Sequence, residues 1–564
     1  MSLISGLLGG AARKKSKNKK QWLAGPPLGV LFREVQNPSG FAKLLRLGGF
    51  SKRALIHANG PKVLFATSMS GYNHGMVMDA LLSNAVWARG ANPHFFVCDQ
   101  ALAGCQKIKY KESVSSGITT AIAPGECAKC TGAGDTLLDG SPFPVWRLSE
   151  FIDADVESEC KALAESLPIE KIKPYTIDGI AIGEHATAGA LRFFARGDLA
   201  AEPNGELVVR KYFYSALILK AAFEKLLDRE KFDVVVAHHG IYVPQGIINE
   251  VCRFKKVRFI AWNPAYKQGC FIFSHGDTYH KTMVSEPTGD WQQASWSEDK
   301  RAELLDYLNS RRTGDRDWIK FHQDPVARFD EIRDQLKLDP AKPVVTLLSN
   351  VVWDAQLHYP SNAFPGMTPW IFATIDHFVY RSDVQLVIRV HPAELTGFVK
   401  SRQLLVDEIA KRYPSLPDHI KIVGPENAIS TYGLCDISDT VLIYNTKTGM
   451  EIAAIGSRVA VAGEAWIRNK GFSVDIETPA EYESFLRALP LRAKMDDSKL
   501  ELAQKYAYHV FFRRMIPLEF MGLENRVQFT LDIKGLESLA PGRSKGLDVI
   551  CNGIVKGTPF IIDQ

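Results

Sequence analysis

The chain has 564 residues, 46% of them hydrophobic and 23% charged. At roughly 100–200 residues per domain this length folds as several domains, and the ordinary composition excludes a disordered chain, a collagen-like repeat and a small disulfide scaffold. Lys and Arg number 68 against 63 Asp and Glu, a net charge of +5. Residues 1–22 concentrate that excess in Arg13, Lys14, Lys15, Lys17, Lys19 and Lys20 and contain no acid. The rest of the chain is close to neutral, so its charge gives no reason to expect nucleic acid as a partner.

In the tail, residues 1–25, a short apolar run precedes the basic cluster. That is the reverse of a secretory signal. Residues 1–22 are read either as a peripheral contact with an anionic membrane face or as a solubilising arm. No stretch approaches the ~20 apolar residues of a spanning helix. The protein is therefore expected in the cytoplasm or at the inner face of the cytoplasmic membrane. Its nine cysteines are then expected to be thiols or metal ligands.

From residue 26 onward, β-rich apolar runs alternate with helical patterns. In the first half the strand candidates are Val63–Ala66, His94–Val97, Asp233–Ala237 and Arg258–Trp262. Helical patterns cover Val77–Arg89 and Tyr212–Leu227. A polar, charged stretch, 292–340, reads as a linker. The second half repeats the alternation with strands Val344–Leu348, Gln385–Val390, Lys421–Val423, Val441–Tyr444 and Arg458–Val461. Its helices are Ile371–Phe378 and Thr448–Ile455, and 491–564 reads as a helical extension. Alternating strands and helices imply parallel sheets. The expected fold class is α/β, with two Rossmann-like doubly wound domains, 26–291 and 341–490, facing a cleft. Ligands bind outside the carboxyl ends of such strands.

In the first half, Cys98, Cys105, Cys127 and Cys130 fall within 33 residues. Four thiolates satisfy a tetrahedral zinc ion, and the second pair has the usual Cys-x2-Cys spacing of a structural site. Four unpaired thiols in a loop is the competing reading, and an iron–sulfur cluster would use the same ligands.

In the second half, His391, Pro392 and Glu394 follow a buried strand. Proline holds the backbone after the histidine, whose imidazole can donate to a phosphate oxygen. The run Asn445-Thr446-Lys447-Thr448-Gly449 joins the next strand to a helix whose first turn carries Glu451. Backbone amides, two hydroxyls and a cation there suit a phosphate, and Glu451 could accept ribose hydroxyls. An ordinary helix cap explains the same residues. Asn350 and Asp354 follow the first strand of this half, and Arg468 and Lys470 lie in a later polar loop within reach of phosphate.

His391-Pro392, the Tyr444–Glu451 turn and the Ala453–Gly456 stretch together resemble the bacterial capsule polysaccharide biosynthesis proteins. That group is similar to the GT-B glycosyltransferases, including those that transfer 3-deoxy-manno-octulosonic or sialic acid from CMP donors. The resemblance covers residues 340–475 and reaches the first half only in outline. It implies contact of His391, Thr446 and Thr448 with the donor phosphate. The family loop is serine-rich, whereas this one reads Asn-Thr-Lys-Thr, which leaves the donor open between CMP and other nucleotide sugars.

Transfer with inversion also needs a general base. His239, in His238-His239-Gly240 before Tyr242 and Glu250, is the first candidate. Asp277 is the second, in a segment that also holds His275 and His280, and Gly71–His74 is a third place. The expected function is an inverting, metal-independent glycosyltransferase of surface polysaccharide assembly. It would require no cofactor beyond its donor and would act on a glycan or lipid-linked acceptor. A non-catalytic nucleotide- or carbohydrate-binding assembly factor, with a structural metal at the cysteines, is the alternative.

Overall fold

The computed structural model describes residues 56–108, 110, 124–138, 141–318, 325–355, 357, 360–491, 495–525, 528–533 and 535–563. The basic tail lies outside them. The strands are β1 (Lys62–Ser68), β2 (Asn92–Val97), β3 (Val145–Arg147), β4 (Val234–His238), β5 (Arg258–Pro264), β6 (Cys270–His275), β7 (Val344–Leu348), β8 (Gln385–Arg389), β9 (Ile420–Val423), β10 (Thr440–Ile443), β11 (Val459–Val461), β12 (Val474–Asp475), β13 (Ile516–Pro517), β14 (Met521–Asn525) and β15 (Gln528–Leu531).

They form two doubly wound sheets and one hairpin. The first sheet has the order β13-β6-β5-β4-β1-β2-β3. Its first five strands in sequence run parallel. The second sheet, β12-β11-β10-β7-β8-β9, is parallel throughout. In each, the chain starts in the middle, builds outward to one side, then returns and builds to the other. The order therefore reverses between β1 and β4, and again between β7 and β10. Those are the two places where a doubly wound sheet opens a crevice for a ligand.

Burial on both faces explains the near-continuous apolar runs, such as VVVAH in β4 and VVTLL in β7. Along β1, Val63 and Phe65 face the helices Asn73–Trp87 and Lys545–Lys556. Leu64 and Ala66 face the helices Ile182–Phe194, Gly205–Glu230 and Gln245–Phe254. Around the second sheet, Val345 and Leu347 pack with Trp370 and Ile371. Val441, Ile443 and Met450 pack with Tyr506 and Phe511, and the same cluster takes in Ala265, Cys270 and Ile272 from the first sheet. The two halves thus share buried apolar surface.

Two stretches differ from expectation. The described residues of 292–340 do not form a loose linker. The helix Glu298–Arg311 buries Leu304, Tyr307 and Leu308 in that shared cluster. Nor is 491–564 only helical. The helix Asp497–Tyr508 and a π-helical turn, His509–Arg514, lead into β13, which pairs antiparallel with β6. The last eighth of the chain therefore begins in the second half and ends by completing the first. Among the described residues, no helix is long and apolar enough to cross a membrane.

Candidate functional site

The switch point of the second sheet is tied together by short polar side chains. Asn350, just past β7, donates through Nδ2 to Asn445 Oδ1, just past β10, at 3.4 Å. Beyond β8, the His391 amide donates to Ser349 Oγ at 3.0 Å. His391 Nδ1 accepts from the Ala393 amide at 3.0 Å, so the neutral ring carries its proton on Nε2. Burial, with Lys447 and Arg389 nearby, lowers His391 to about 4. Thr446 is buried, and its Oγ1 accepts from the Thr448 amide at 3.4 Å. The helix Thr448–Ala453 starts here and is six residues long. Gly449 lets it lie on the sheet, because a Cβ there would come within 2.4 Å of Ile443 Cδ1.

Several expected phosphate or ribose contacts are already engaged within the protein. Lys447 Nζ donates to Glu451 Oε1 at 2.6 Å and lies 4.1 Å from the centre of the Tyr266 ring. Arg311 pairs with the same carboxylate at 3.1 Å, and the Tyr432 hydroxyl donates to its other oxygen. Burial alone would raise the Glu451 carboxyl, but Arg311 and Lys447 hold it down to about 2. It is therefore the anchor of an ion cluster, with its oxygens turned to protein donors in place of a ribose. Arg468 is fully buried and donates to the carbonyls of Gly463, Val461 and Ile476 at 3.0, 3.2 and 2.7 Å. Lys470 donates to those of Val284 and Glu286 at 2.8 and 3.1 Å. Both cations hold backbone carbonyls, so the structure does not present them to a phosphate. Pro392 precedes the short helix Ala393–Thr396. Glu394 within it is buried and accepts from the Leu405 amide at 3.2 Å.

The first sheet brings its own switch point to the same place. Tyr72, after β1, stands with its hydroxyl 3.4 Å from His238 Nε2, at the end of β4. The next residue, His239, has φ +66°, a strained conformation for a side chain of this size. Its Nδ1 is buried with no hydrogen-bond partner. Its ring centre lies 5.2 Å from that of Tyr242 and 6.3 Å from that of His280. Burial and the His280 ring lower His239 to about 3, and burial lowers His280 to about 4. The Asp354 carboxylate opposes both shifts.

Asp354 belongs to the second half, and it closes the site. Its Oδ1 accepts from the Tyr242 hydroxyl at 2.6 Å, while that hydroxyl accepts from the Ala355 amide at 2.9 Å. The Arg192 guanidinium lies 5.2 Å from the centre of the Tyr242 ring. Tyr242 thus touches Asp354, and the same carboxylate acts electrostatically on His239 and His280 from the first half and on His391 from the second. Asp277 is held elsewhere, by Arg253 at 2.5 Å, Asn249 at 3.2 Å and the Thr278 amide at 2.7 Å. His275 Nε2 donates to the Thr558 carbonyl oxygen, near the far end of the chain, at 2.9 Å.

No family model matches the chain, and no curated protein does. Among solved structures it is similar to two KpsC proteins of Thermosulfurimonas dismutans. One is a beta Kdo 2,4 transferase, at 12% identity over 51% of this chain and 83% of that one, with a TM-score of 0.33. The other is a beta Kdo 2,7 transferase, at 12% identity over 57% and 88%, with a TM-score of 0.34. Arabidopsis thaliana UGT89C1 complexed with UDP follows at 14% identity over 88% and 100%, with a TM-score of 0.23. Likenesses this distant decide nothing about chemistry, which rests on the chain's own geometry.

That geometry offers a proton acceptor and a set of donors on opposite walls. A neutral imidazole with an unpartnered nitrogen, beside a carboxylate, can take a proton. Across from it, the Nε2–H of His391 and the hydroxyl of Thr448 can donate to an anion. The cysteines form a separate group. Cys98, Cys105, Cys127 and Cys130 are free thiols that line one pocket with Met69, Lys107 and Pro244. Among the described residues, no group of three or more His, Cys, Asp or Glu is gathered tightly enough to hold a metal ion. Arg192, Tyr266, Arg311 and Tyr432 escaped the reading of the sequence, since none sits in a recognisable motif and each reaches the cleft from a distant element.

Proposed function

We propose that the protein is an inverting glycosyltransferase that moves a sugar from a nucleotide donor, a CMP- or other NDP-sugar, to a glycan or lipid-linked acceptor in bacterial surface polysaccharide assembly. One observation carries this reading: the switch points of two doubly wound sheets face each other, and the Tyr242–Asp354 hydrogen bond of 2.6 Å joins them. Such a cleft holds one substrate on each wall, which is what group transfer between two substrates requires. The polysaccharide class of the acceptor is supported by the sequence resemblance around His391 and Thr446–Glu451.

The donor binds at the second sheet, with its phosphate against His391, Asn350, Asn445, Thr446 and Thr448. The acceptor lies on the first sheet. Its hydroxyl attacks the anomeric carbon in line with the departing phosphate, and His239, steadied by Asp354, takes the hydroxyl proton. The leaving oxygen gains negative charge as the glycosidic bond breaks. Nε2–H of His391 meets that charge, preoriented by the Ala393 amide on Nδ1. Tyr242 touches Asp354 directly, so substrates enter when the halves part and react when they close. Residues 1–22 would hold the enzyme near a lipid-linked acceptor.

The test is a thermal-shift screen against CMP, CDP, UDP and GDP. A nucleotide at 100 times its dissociation constant stabilises the fold by about 2.7 kcal/mol. One of the four should raise the melting temperature of the wild type, and His391→Ala should abolish both that shift and transfer while leaving the unliganded melting temperature within a few degrees. A wild type that responds to none of the four overturns the proposal.

A further inference from the structure

One cavity lies outside the transfer cleft, and no step of the proposed reaction uses it. It measures 160 Å³ and sits where the segment 291–300 meets the helix Asp497–Tyr508 and the π-helical turn after it. Three cations line it, Lys300, Lys505 and Arg513, against one carboxylate, Asp563. Lys505 and Tyr508 are three residues apart and share a helix face. The turn His509–Arg514 then bonds i to i+5, which adds a residue to the turn and re-aims Arg513. Single π turns of this kind recur at functional sites. The half-buried indole of Trp296 forms a wall of the cavity, edge-on to Tyr508 at 5.7 Å between ring centres.

The three cations are held by neutral oxygens or by exposed acids, unlike Lys447 and Arg311 on the buried Glu451. Lys300 Nζ donates to the carbonyl and the hydroxyl of Ser295, both at 3.1 Å, and lies 5.8 Å from the centre of the Tyr508 ring. Lys505 Nζ donates to the Gln292 carbonyl at 3.3 Å and pairs at 2.9 Å with Glu501, which is 54% exposed. Arg513 pairs at 3.0 Å with Asp563, which is 87% exposed. Surface pairs of this kind contribute little to stability, so a ligand's carboxylate or phosphate can replace the partner at small cost. Two further acids beside the cavity are engaged. Glu303 accepts from the Tyr508 hydroxyl at 3.1 Å, and Glu286 accepts from His509 Nε2 at 2.9 Å and pairs with Arg514 at 3.0 Å. Trp291, also in the lining, is 1% exposed, and its indole N–H has no acceptor among the described residues. A buried donor in that state calls for an acceptor from outside the protein.

We propose that this cavity is a saccharide-binding subsite that holds one sugar unit carrying a phosphate or carboxylate group. The anion lies among Lys300, Lys505 and Arg513, in place of Asp563, and the C–H face of the sugar ring rests on the Trp296 indole. The volume is below the ~300–1,000 Å³ of sites for drug-sized ligands, so it takes a single ring and not a nucleotide. The choice of a saccharide rests on the proposed transfer reaction, whereas the anion site rests on the cations alone. The helix Glu298–Arg311 fixes the subsite's distance from the cleft. Lys300 is near its start, and Arg311 at its end pairs with Glu451 at 3.1 Å. About 16 Å of helix separates the two. The subsite therefore stands apart from the donor turn, placed for a distal unit of an acceptor chain or for a free sugar phosphate.

Calorimetric titration of the full-length protein with glucose 6-phosphate, trigalacturonate and uncharged maltotriose tests this. At least one of the two anionic probes should bind at a single site per chain, more weakly as salt is raised, and maltotriose should not. Binding of glucose 6-phosphate alone identifies a free sugar phosphate as the ligand; binding of trigalacturonate identifies a unit within a chain. The double variant Lys300→Gln, Arg513→Gln should weaken that binding by about tenfold or more, the loss of at least one charge-assisted hydrogen bond. It should keep the wild-type melting temperature within a few degrees and the wild-type response to nucleotide. A wild type that binds the sugar anion and no nucleotide would sink the transfer reaction and leave the subsite standing. A wild type that binds neither anionic probe, or binds maltotriose as tightly, overturns the subsite, and so does a folded double variant with unchanged affinity.

Discussion

Arg468 and His391 carry the same promise in the sequence, a donor in a loop beyond a strand of the second sheet, and their surroundings divide them. The Arg468 guanidinium donates through Nε and Nη2 to the carbonyls of Gly463, Val461 and Ile476 and has no exposed surface. Replacing it with alanine leaves the buried Ile476 carbonyl without a donor, at about 1–3 kcal/mol if water cannot reach it, removes the second donor of Gly463 and Val461, which keep the Ala465 and Ile476 amides, and empties the space of a fully buried side chain. Arg468→Ala is therefore expected to lower the unfolding free energy in urea by about 3 kcal/mol or more. Nucleotide affinity of the folded fraction should stay within about twofold. A tenfold loss of affinity at unchanged stability would return this residue to the phosphate site. His391 is the opposite case, since its Nδ1 is fixed by Ala393 and its Nε2 carries the proton. A sequence names the cation but not whether it faces a ligand or a ring of carbonyls. The same ambiguity hid the commitment of Glu451 to Lys447 and Arg311. It also concealed Tyr242–Asp354, a contact between residues 112 positions apart.

At the scale of elements, the parallel strands were the readable part. Val344–Leu348 matches β7 residue for residue, and Val63–Ala66 lies inside β1. Strands buried on both faces are compact apolar runs with helices between them, so local composition marks them. β6 and β13 were not read. β13 is two residues long and joins the sheet only by pairing with β6, about 245 residues earlier in the chain. The helix Lys545–Lys556 likewise reads as an appendage, yet Leu547, Ile550 and Ile554 cover the face of the first sheet that also holds Val63, Phe65 and Val236. Asp548 pairs with Arg89 at 2.5 Å, and Phe560 packs on Phe273 at 5.4 Å between ring centres. Deleting 545–563 should therefore uncover the core. The truncated chain is expected to be insoluble, or to bind a hydrophobic dye and lose cooperative unfolding. A soluble truncation with a sharp, unshifted melting transition would show that this helix is dispensable.

Across the whole molecule, the two halves meet through imidazoles that folding keeps neutral. His239, His280 and His391 converge on Asp354 from both sheets, and His238 stands behind His239. Burial is the largest cause of depression for all four; it lowers His239 to about 3, His280 and His391 to about 4, and His238 well below its ordinary value. His94, beneath the first sheet, is also lowered by burial to about 4. In the unfolded chain each takes up a proton near pH 6.5. Between about pH 6.5 and pH 4 the unfolded state therefore binds more protons, and stability falls as the pH falls. Each histidine contributes at most about 1.4 kcal/mol per pH unit in that window. Two carboxyls act the other way. Burial raises Asp79 to about 8 and Glu394 to about 7, so the folded state holds their protons through the same range and their contribution grows on acidification. His275 and His509 are lowered as well and Asp317 raised, so seven imidazoles against three carboxyls leave a net acid sensitivity. Urea unfolding followed from pH 7.5 to pH 5 should show a midpoint that falls steadily below pH 6.5. His280→Gln should flatten that slope by up to one proton, because glutamine keeps a polar group in the cleft and removes the titration. A midpoint that stays level or rises toward pH 5 would mean that these rings are already charged, or open to water, in the native state. The cleft would then lack the neutral base that the proposed transfer needs.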